Sequence, residues 1–336
     1  MAWDFARELA AWGPTRGGLA SRGRQPPVVS STPDAVFTPN TVVTPGADAP
    51  GSPGPGLSRA QAYCKYVTTS HYENFTVASV LLPRRLLRHF HAVYAYCRWS
   101  DDLADETGGG AEALELIAWW RRELMQCYGG EPTHPVMLAL RETIRRFDIP
   151  PEPFLNLLVA FEQDQHVKRY DTFDQLIGYC RNSADPVGRL VLYLFECFDA
   201  ERAKLSDEVC TGLQLANFWQ DVARDFAIGR VYLPREDLAR FGVAEEDIAA
   251  GRSTPQFRDL VRFEVERTKG FFDRGAALLP LLPRQARVNV DLFLRGGWAV
   301  LRAIERGGYD VLTRRPVVTK AEKVKLMLRA LAARVW

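Results

Sequence analysis

Between Pro83 and Glu106 the chain reads PRRLLRHFHAVYAYCRWSDDLADE, with apolar residues returning every three or four positions. That period suits one face of an α-helix and not the alternation of a strand. It recurs over roughly 111–128, 134–147, 153–168, 172–182, 186–200, 206–228, 255–279, 284–305 and 318–335. Strand-like alternation is nearly confined to RVYLP at 230–234. About ten helices with short connections predict a single all-α domain over 58–336. No fixed repeat occurs, and no Gly-rich phosphate loop or dinucleotide fingerprint follows a strand.

Residues 13–57 are rich in Pro, Gly, Ser and Thr, a composition too poor in apolar surface to offset its ordering entropy. Residues 1–57 are therefore expected to be a disordered extension, with at most a short frayed helix at 3–12. A net charge of +2 argues against nucleic acid as a partner. Six cysteines are dispersed without C-x-x-C or zinc spacing, which suits reduced thiols in a cytoplasmic protein. No apolar run is long enough to span a bilayer. Asp4 and Glu8 interrupt what would be the apolar core of a signal peptide.

The acidic residues carry the chemistry. Asp101, Asp102 and Asp105 fall within two helical turns, one turn after Arg98 and two after Tyr94. Like charges at that spacing destabilise a helix unless a cation or water relieves them. In GLQLANFWQDVARDF, Gln214, Asn217, Asp221 and Asp225 are spaced by three, four and four, which places them on one stripe. Two helices offering hard oxygen ligands can clamp Mg²⁺, which takes few carboxylates and leaves positions for substrate phosphate. Such ions neutralise a departing diphosphate. Nearby arginines add bidentate contacts to phosphate oxygens.

These segments resemble the squalene/phytoene synthase family. HYENFTVASVLLP is similar to its opening helix and loop, and VYAYCRWSDDLADE to its first aspartate-rich segment. YCRNSADPVGRL resembles its central segment, and LQLANFWQDVARDF followed by GRVYLP its second aspartate-rich segment. GGYDVLTRRPVVTKAEK resembles its closing segment. The resemblance implies an isoprenoid-synthase-type helical bundle with a central apolar cavity, binding a prenyl diphosphate through two or three Mg²⁺ ions. It implies Asp101, Asp102, Asp105, Asn217, Asp221 and Asp225 as metal ligands. Arg98, Gln214, Arg230 and Tyr232 are implied at the diphosphate, and Tyr94 and Tyr179 near the reacting carbons.

The opening HYENF and the central SADPVG depart from the common family forms and are similar to the bacterial hydroxysqualene synthase branch. The implied reaction converts presqualene diphosphate and water to hydroxysqualene and diphosphate, without NADPH, coupled in function to a presqualene diphosphate synthase. His71 and Glu73 are the further catalytic candidates, with Glu73, Asn74 and Asp185 expected around the capturing water. A head-to-head prenyl transferase, a class I terpene cyclase and a non-catalytic helical scaffold are the alternatives. Phe75, Phe161, Phe218 and Trp219 read chiefly as packing, and Arg314 and Arg315 as weaker phosphate candidates. The closing KAEKVKLMLRALAARVW is a basic amphipathic stretch, suited to docking on the fold or to peripheral membrane contact.

Overall fold

The computed structural model describes residues 3–14, 56–70 and 82–335. Among the described residues α1 (Phe5–Trp12) and α2 (Leu57–Ser70) precede the long α3 (Arg84–Asp105). Pro83 takes the N-cap position of α3, at φ −60° and ψ 134°, one residue earlier than its expected first-turn place. Gly108, Gly109 and Gly110 all have positive φ, a conformation cheap only for glycine. They turn the chain into α4 (Gly110–Gly129), followed by α5 (Pro135–Phe147) and α6 (Glu152–Gln163).

The next stretch departs from the helical reading of 153–168. α6 ends at Gln163, and residues 168–171 run extended instead. The amide of Val231 donates to the carbonyl of Lys168 at 2.9 Å, and that of Arg235 to Tyr170 at 2.9 Å. RVYLP thus forms the extended piece expected of it, as one parallel bridge between Arg169 and Val231. Helix α7 (Phe173–Ser183) starts on Thr172, whose hydroxyl accepts from the Gln175 amide. Pro186 lies in the first turn of α8 (Asp185–Leu194), so the two helices meet at a corner and do not merge.

The single helix expected over 186–200 ends at Leu194, because Glu196 is left-handed at φ 54° and Asp199 caps a new one. That helix, α9 (Ala200–Ala227), begins before the apolar period is evident. Two short helices not read from the sequence follow, α10 (Arg235–Phe241) and α11 (Glu245–Ala249). Next come α12 (Pro255–Gly275), a 3₁₀ turn at Ala276–Leu281, α13 (Arg284–Arg306) and α14 (Lys320–Val335).

α9 is the hub, touching α7, α8, α12 and α13. α3 plays the same part on the other side, against α2, α4, α5 and α6. The core that these two helices organise holds Trp99, Trp120, Trp219, Tyr96, Phe154, Phe257 and Phe272, all under 2% exposed. Removing such areas from water is the main force holding the helices together. Among the described residues no helix is long and apolar enough to cross a membrane.

At residues 3–14 the structure differs from the disordered extension expected over 1–57. Residues 3–14 are not a free tail: Phe5 is 7% exposed and belongs to the main core. Its ring meets Trp99 edge-on at 5.3 Å, and Trp12 meets Tyr63 at 6.1 Å. Aromatic area, at roughly 150–250 Å² per side chain, compensates for a helix too short to be stable alone.

Candidate active site

α3 and α9 present their acidic stripes to one cleft of about 330 Å³. Asp101 and Asp105 line it from α3, and Gln214, Asn217, Asp221 and Asp225 from α9. Each set follows from helical spacing of three and four. Buried Leu157, Ala160, Tyr179 and Phe218 also line it, so the cleft joins acidic walls to a smaller apolar surface. Phe161 also lines it, so two of the aromatics read as packing, Phe161 and Phe218, face the cleft.

Asp102 goes elsewhere. One residue is about 100° of helical rotation, which turns it from the cleft into the core beneath α3. It is 1% exposed, its Oδ2 accepts from the Trp3 indole at 3.0 Å, and its Oδ1 is bonded to Arg98. Arg98 also reaches Asp101 at 3.1 Å. Burial works against the Arg98 charge and is outweighed by Asp102 and Asp101, which raise its pKa. Neither Asp102, Arg98 nor Tyr94 lines the cleft. Tyr94 is partly buried, and desolvation raises its phenol.

Arg230 and Tyr232 reach the cleft by a different route. Gly229, at φ 80°, reverses the chain after α9. The extended residues that follow send alternate side chains to one side. Arg230 donates to Asp105 at 2.9 Å, and Tyr232 stacks on Phe218 with ring centroids 3.7 Å apart. Burial disfavours the Arg230 cation, but Asp164 and Asp105 outweigh it and raise its pKa. Tyr179 donates its hydroxyl to Asp164 at 3.0 Å. Burial raises the Tyr179 phenol, and the Asp164 charge adds to the effect.

The acids are crowded and partly desolvated, though the Asp101 and Asp105 side chains keep water on one side. Burial pushes Asp101 up to about 6, against the opposing pull of Arg98. It pushes Asp225 up to about 7, with Asp221 reinforcing the shift. Asp221 is closed by Arg315, at 2.9 Å from Nη2 to Oδ2, with Gln220 accepting from the same arginine at 3.1 Å.

Asp164 is the acid that sequence reading missed, lying among polar residues with no motif around it. It lines the cleft, is 6% exposed, and burial pushes its carboxyl up to about 6. Ser183, four residues after Tyr179 on α7, lines the cleft with a buried Oγ that has no hydrogen-bond partner.

Asp185, expected beside the capturing water, does not line the cleft. Its carboxylate accepts from Thr211 at 2.8 Å, and burial pushes it up to about 7. His71, Glu73, Asn74 and Phe75 lie outside the described residues.

Among the described residues no three acidic, histidine or cysteine side chains are gathered as a ready metal cage. The oxygen donors on the two helices nevertheless suit a hard cation, and each ridge is at present neutralised in part by an arginine: Arg98, Arg230 or Arg315.

An all-helical domain with paired acidic stripes at the mouth of a partly apolar cleft is the form expected of enzymes that act on prenyl diphosphates. Comparison gives the class its name. Residues 68–322 match the squalene/phytoene synthase family model, and the chain belongs to that family. It is 30% identical over 294 residues to the phytoene synthase of Arthrospira platensis, covering 83% of this chain and 95% of that protein. The solved squalene synthase HpnC of Alicyclobacillus acidocaldarius superposes with a TM-score of 0.73 at 46% identity, covering 75% of this chain and 95% of that one. A ligand-bound dehydrosqualene synthase superposes with a TM-score of 0.73 at 25% identity, covering 82% and 96%.

Proposed function

We propose that this protein is a Mg²⁺-dependent hydroxysqualene synthase that converts presqualene diphosphate and water to hydroxysqualene and diphosphate. The observation that carries the reading is the cleft itself, where Asp101 and Asp105 share one space with Asn217, Asp221 and Asp225. The 46% identity to HpnC and the HYENF opening support the bacterial branch of the family.

Magnesium, when bound, supplies the positive charge that lets a trianionic leaving group sit against carboxylates. The protein's own groups do the rest. Asp101 and Asp105 on one side, and Asn217, Asp221 and Asp225 on the other, would hold the ions. Arg230 would contact phosphate oxygens from the cleft wall, while Arg98 and Arg315, bonded to Asp101 and Asp221, would add positive charge behind the ridges. Gln214 and Tyr232 orient the diphosphate, while Tyr179, Phe161 and Phe218 line the space for the prenyl carbons.

In the reaction the carbon–oxygen bond to diphosphate breaks, and its electron pair leaves with the diphosphate. The carbocation rearranges against aromatic faces worth roughly 0.5–2 kcal/mol each. Water oxygen then bonds to carbon, and its spare proton passes to the departing diphosphate or a cleft carboxylate. No electrons are gained or lost, so no nicotinamide is required. Substrate arrives from a presqualene diphosphate synthase. The exposed basic stripe of α14 supports delivery of the oily product at a membrane surface.

Purified protein incubated with Mg²⁺ and presqualene diphosphate should release the alcohol, and Asp101→Ala or Asp221→Ala should each lower turnover at least 100-fold, about 3 kcal/mol. Consumption of geranylgeranyl diphosphate to phytoene would instead establish a head-to-head condensing enzyme, the reading that the phytoene synthase relatives favour.

A further inference from the structure

The N-terminal segment precedes the family-matched region, which begins at residue 68. It nonetheless ends in direct contact with the first acidic ridge. Trp3 donates its indole N–H to Asp102 Oδ2 at 3.0 Å, across 99 residues of sequence. Its ring meets Trp99 edge-on at 6.4 Å and Tyr66 at 6.1 Å. α1 is anchored behind it: Asp4 caps the helix, Phe5 enters the core, and the Tyr63 hydroxyl donates to Glu8 at 2.8 Å.

Asp102 has no exposed side-chain surface. A carboxylate in such a place is costly unless hydrogen-bonded donors surround it. Arg98 supplies a charged donor to one oxygen and Trp3 a neutral donor to the other. The same guanidinium spans to Asp101, a cleft acid, at 3.1 Å. The result is a continuous chain, Trp3 to Asp102 to Arg98 to Asp101, that leads from the N-terminal helix to the cleft.

We propose that Trp3 is a positioning residue for the metal site, and that residues 3–13 form an added clamp which fixes the first acidic ridge from behind. By fixing the Asp102 carboxylate, the indole fixes the guanidinium shared with Asp101, and so the side chain that faces the second ridge. Groups that orient a metal ligand without touching the ion typically contribute 10–100-fold to metal affinity. The clamp rests on the metal–diphosphate reading of the cleft, but its effect on the ridge can be measured without metal.

The test uses the full chain with Trp3→Phe, which keeps an aromatic ring, though a smaller one, and removes the N–H. Glu8→Gln is the control, since it weakens the anchoring of α1 without touching Asp102. Calorimetric titration of MgCl₂ into protein saturated with inorganic pyrophosphate should show roughly 10-fold weaker Mg²⁺ binding for Trp3→Phe and little change for Glu8→Gln. Hydrogen exchange of the metal-free proteins should be faster over residues 98–106 in Trp3→Phe alone. Equal Mg²⁺ binding and equal exchange in Trp3→Phe and the unaltered protein would overturn the clamp while leaving the cleft reading intact. Equal losses in both variants would reduce Trp3 to a generic docking contact and overturn the hydrogen-bond chain. If the unaltered protein bound no Mg²⁺ with pyrophosphate, the functional reading itself would fall, and the clamp's metal role with it.

Discussion

Ser183 lines the cleft two residues before Asp185, the residue expected, with Glu73 and Asn74, around the capturing water. The Ser183 hydroxyl faces the cleft without a partner, while Asp185 turns from it and holds Thr211. A buried hydroxyl without a partner loses about 1–3 kcal/mol relative to one that has a partner, so a water or substrate oxygen at Ser183 is favoured. Ser183→Ala should therefore shift products from alcohol toward hydrocarbon about fivefold, about 1 kcal/mol, with little change in total diphosphate release. Product analysis by mass spectrometry reads that ratio, and an unchanged ratio would remove Ser183 from water capture. Asp185 makes a different prediction. Its folded pKa, pushed up to about 7 by burial, exceeds the ordinary 3.8, so between those values the folded protein holds a proton that the unfolded chain has released. Its stabilising protonated form is present at low pH and is lost as pH rises toward 7. Melting temperature should fall from pH 5 to pH 8, and Asp185→Asn should lessen that fall.

At the scale of elements, the acidic helices were legible because spacing on a helix is a geometric fact, and Asp101, Asp105, Asn217, Asp221 and Asp225 meet as their stripes require. Asp102 was not, since a motif of three acids does not say which one the helix rotates into the core. Asp164 was hidden for a related reason: its place is set by the end of α6 and the extended run that pairs with Val231, a tertiary event. Helix ends moved where capping and pairing overrode apolar period, as at Gln163 and Leu194. The packing of α8 on α9 adds a constraint invisible in period. A Cβ on Gly188 would lie 2.3 Å from Ser206 Oγ and 2.5 Å from Cys210 Sγ. Gly188→Ala should destabilise the protein by about 1–3 kcal/mol through overpacking, read as a lower urea midpoint. A midpoint unchanged within error would mean that the two helices separate freely.

At the scale of the whole molecule, the chain carries an active-site cleft at the centre and an amphipathic helix at its edge. One side of α14 packs on α13, where Leu326, Met327 and Ala330 meet Val288 and Leu292. The other side leaves Val324 57% and Leu328 62% exposed, with Leu331 beside them and Val317 just before the helix. Lys320, Lys323, Lys325 and Arg329 are exposed elsewhere on the same helix. Apolar side chains stand to gain up to about 1.5–3 kcal/mol each on full burial. Cations near an anionic leaflet add about 1 kcal/mol each, an attraction that salt screens. Both terms favour a bilayer surface over water, and the reaction proposed above, with its water-insoluble alcohol product, would gain from such a site. The protein should therefore co-sediment with vesicles containing phosphatidylserine, less so as salt increases. Val324→Glu with Leu328→Glu should cut that binding at least 10-fold and leave turnover in detergent unchanged, because neither residue touches the cleft. Equal sedimentation of the double variant would assign the exposed stripe to something other than lipid.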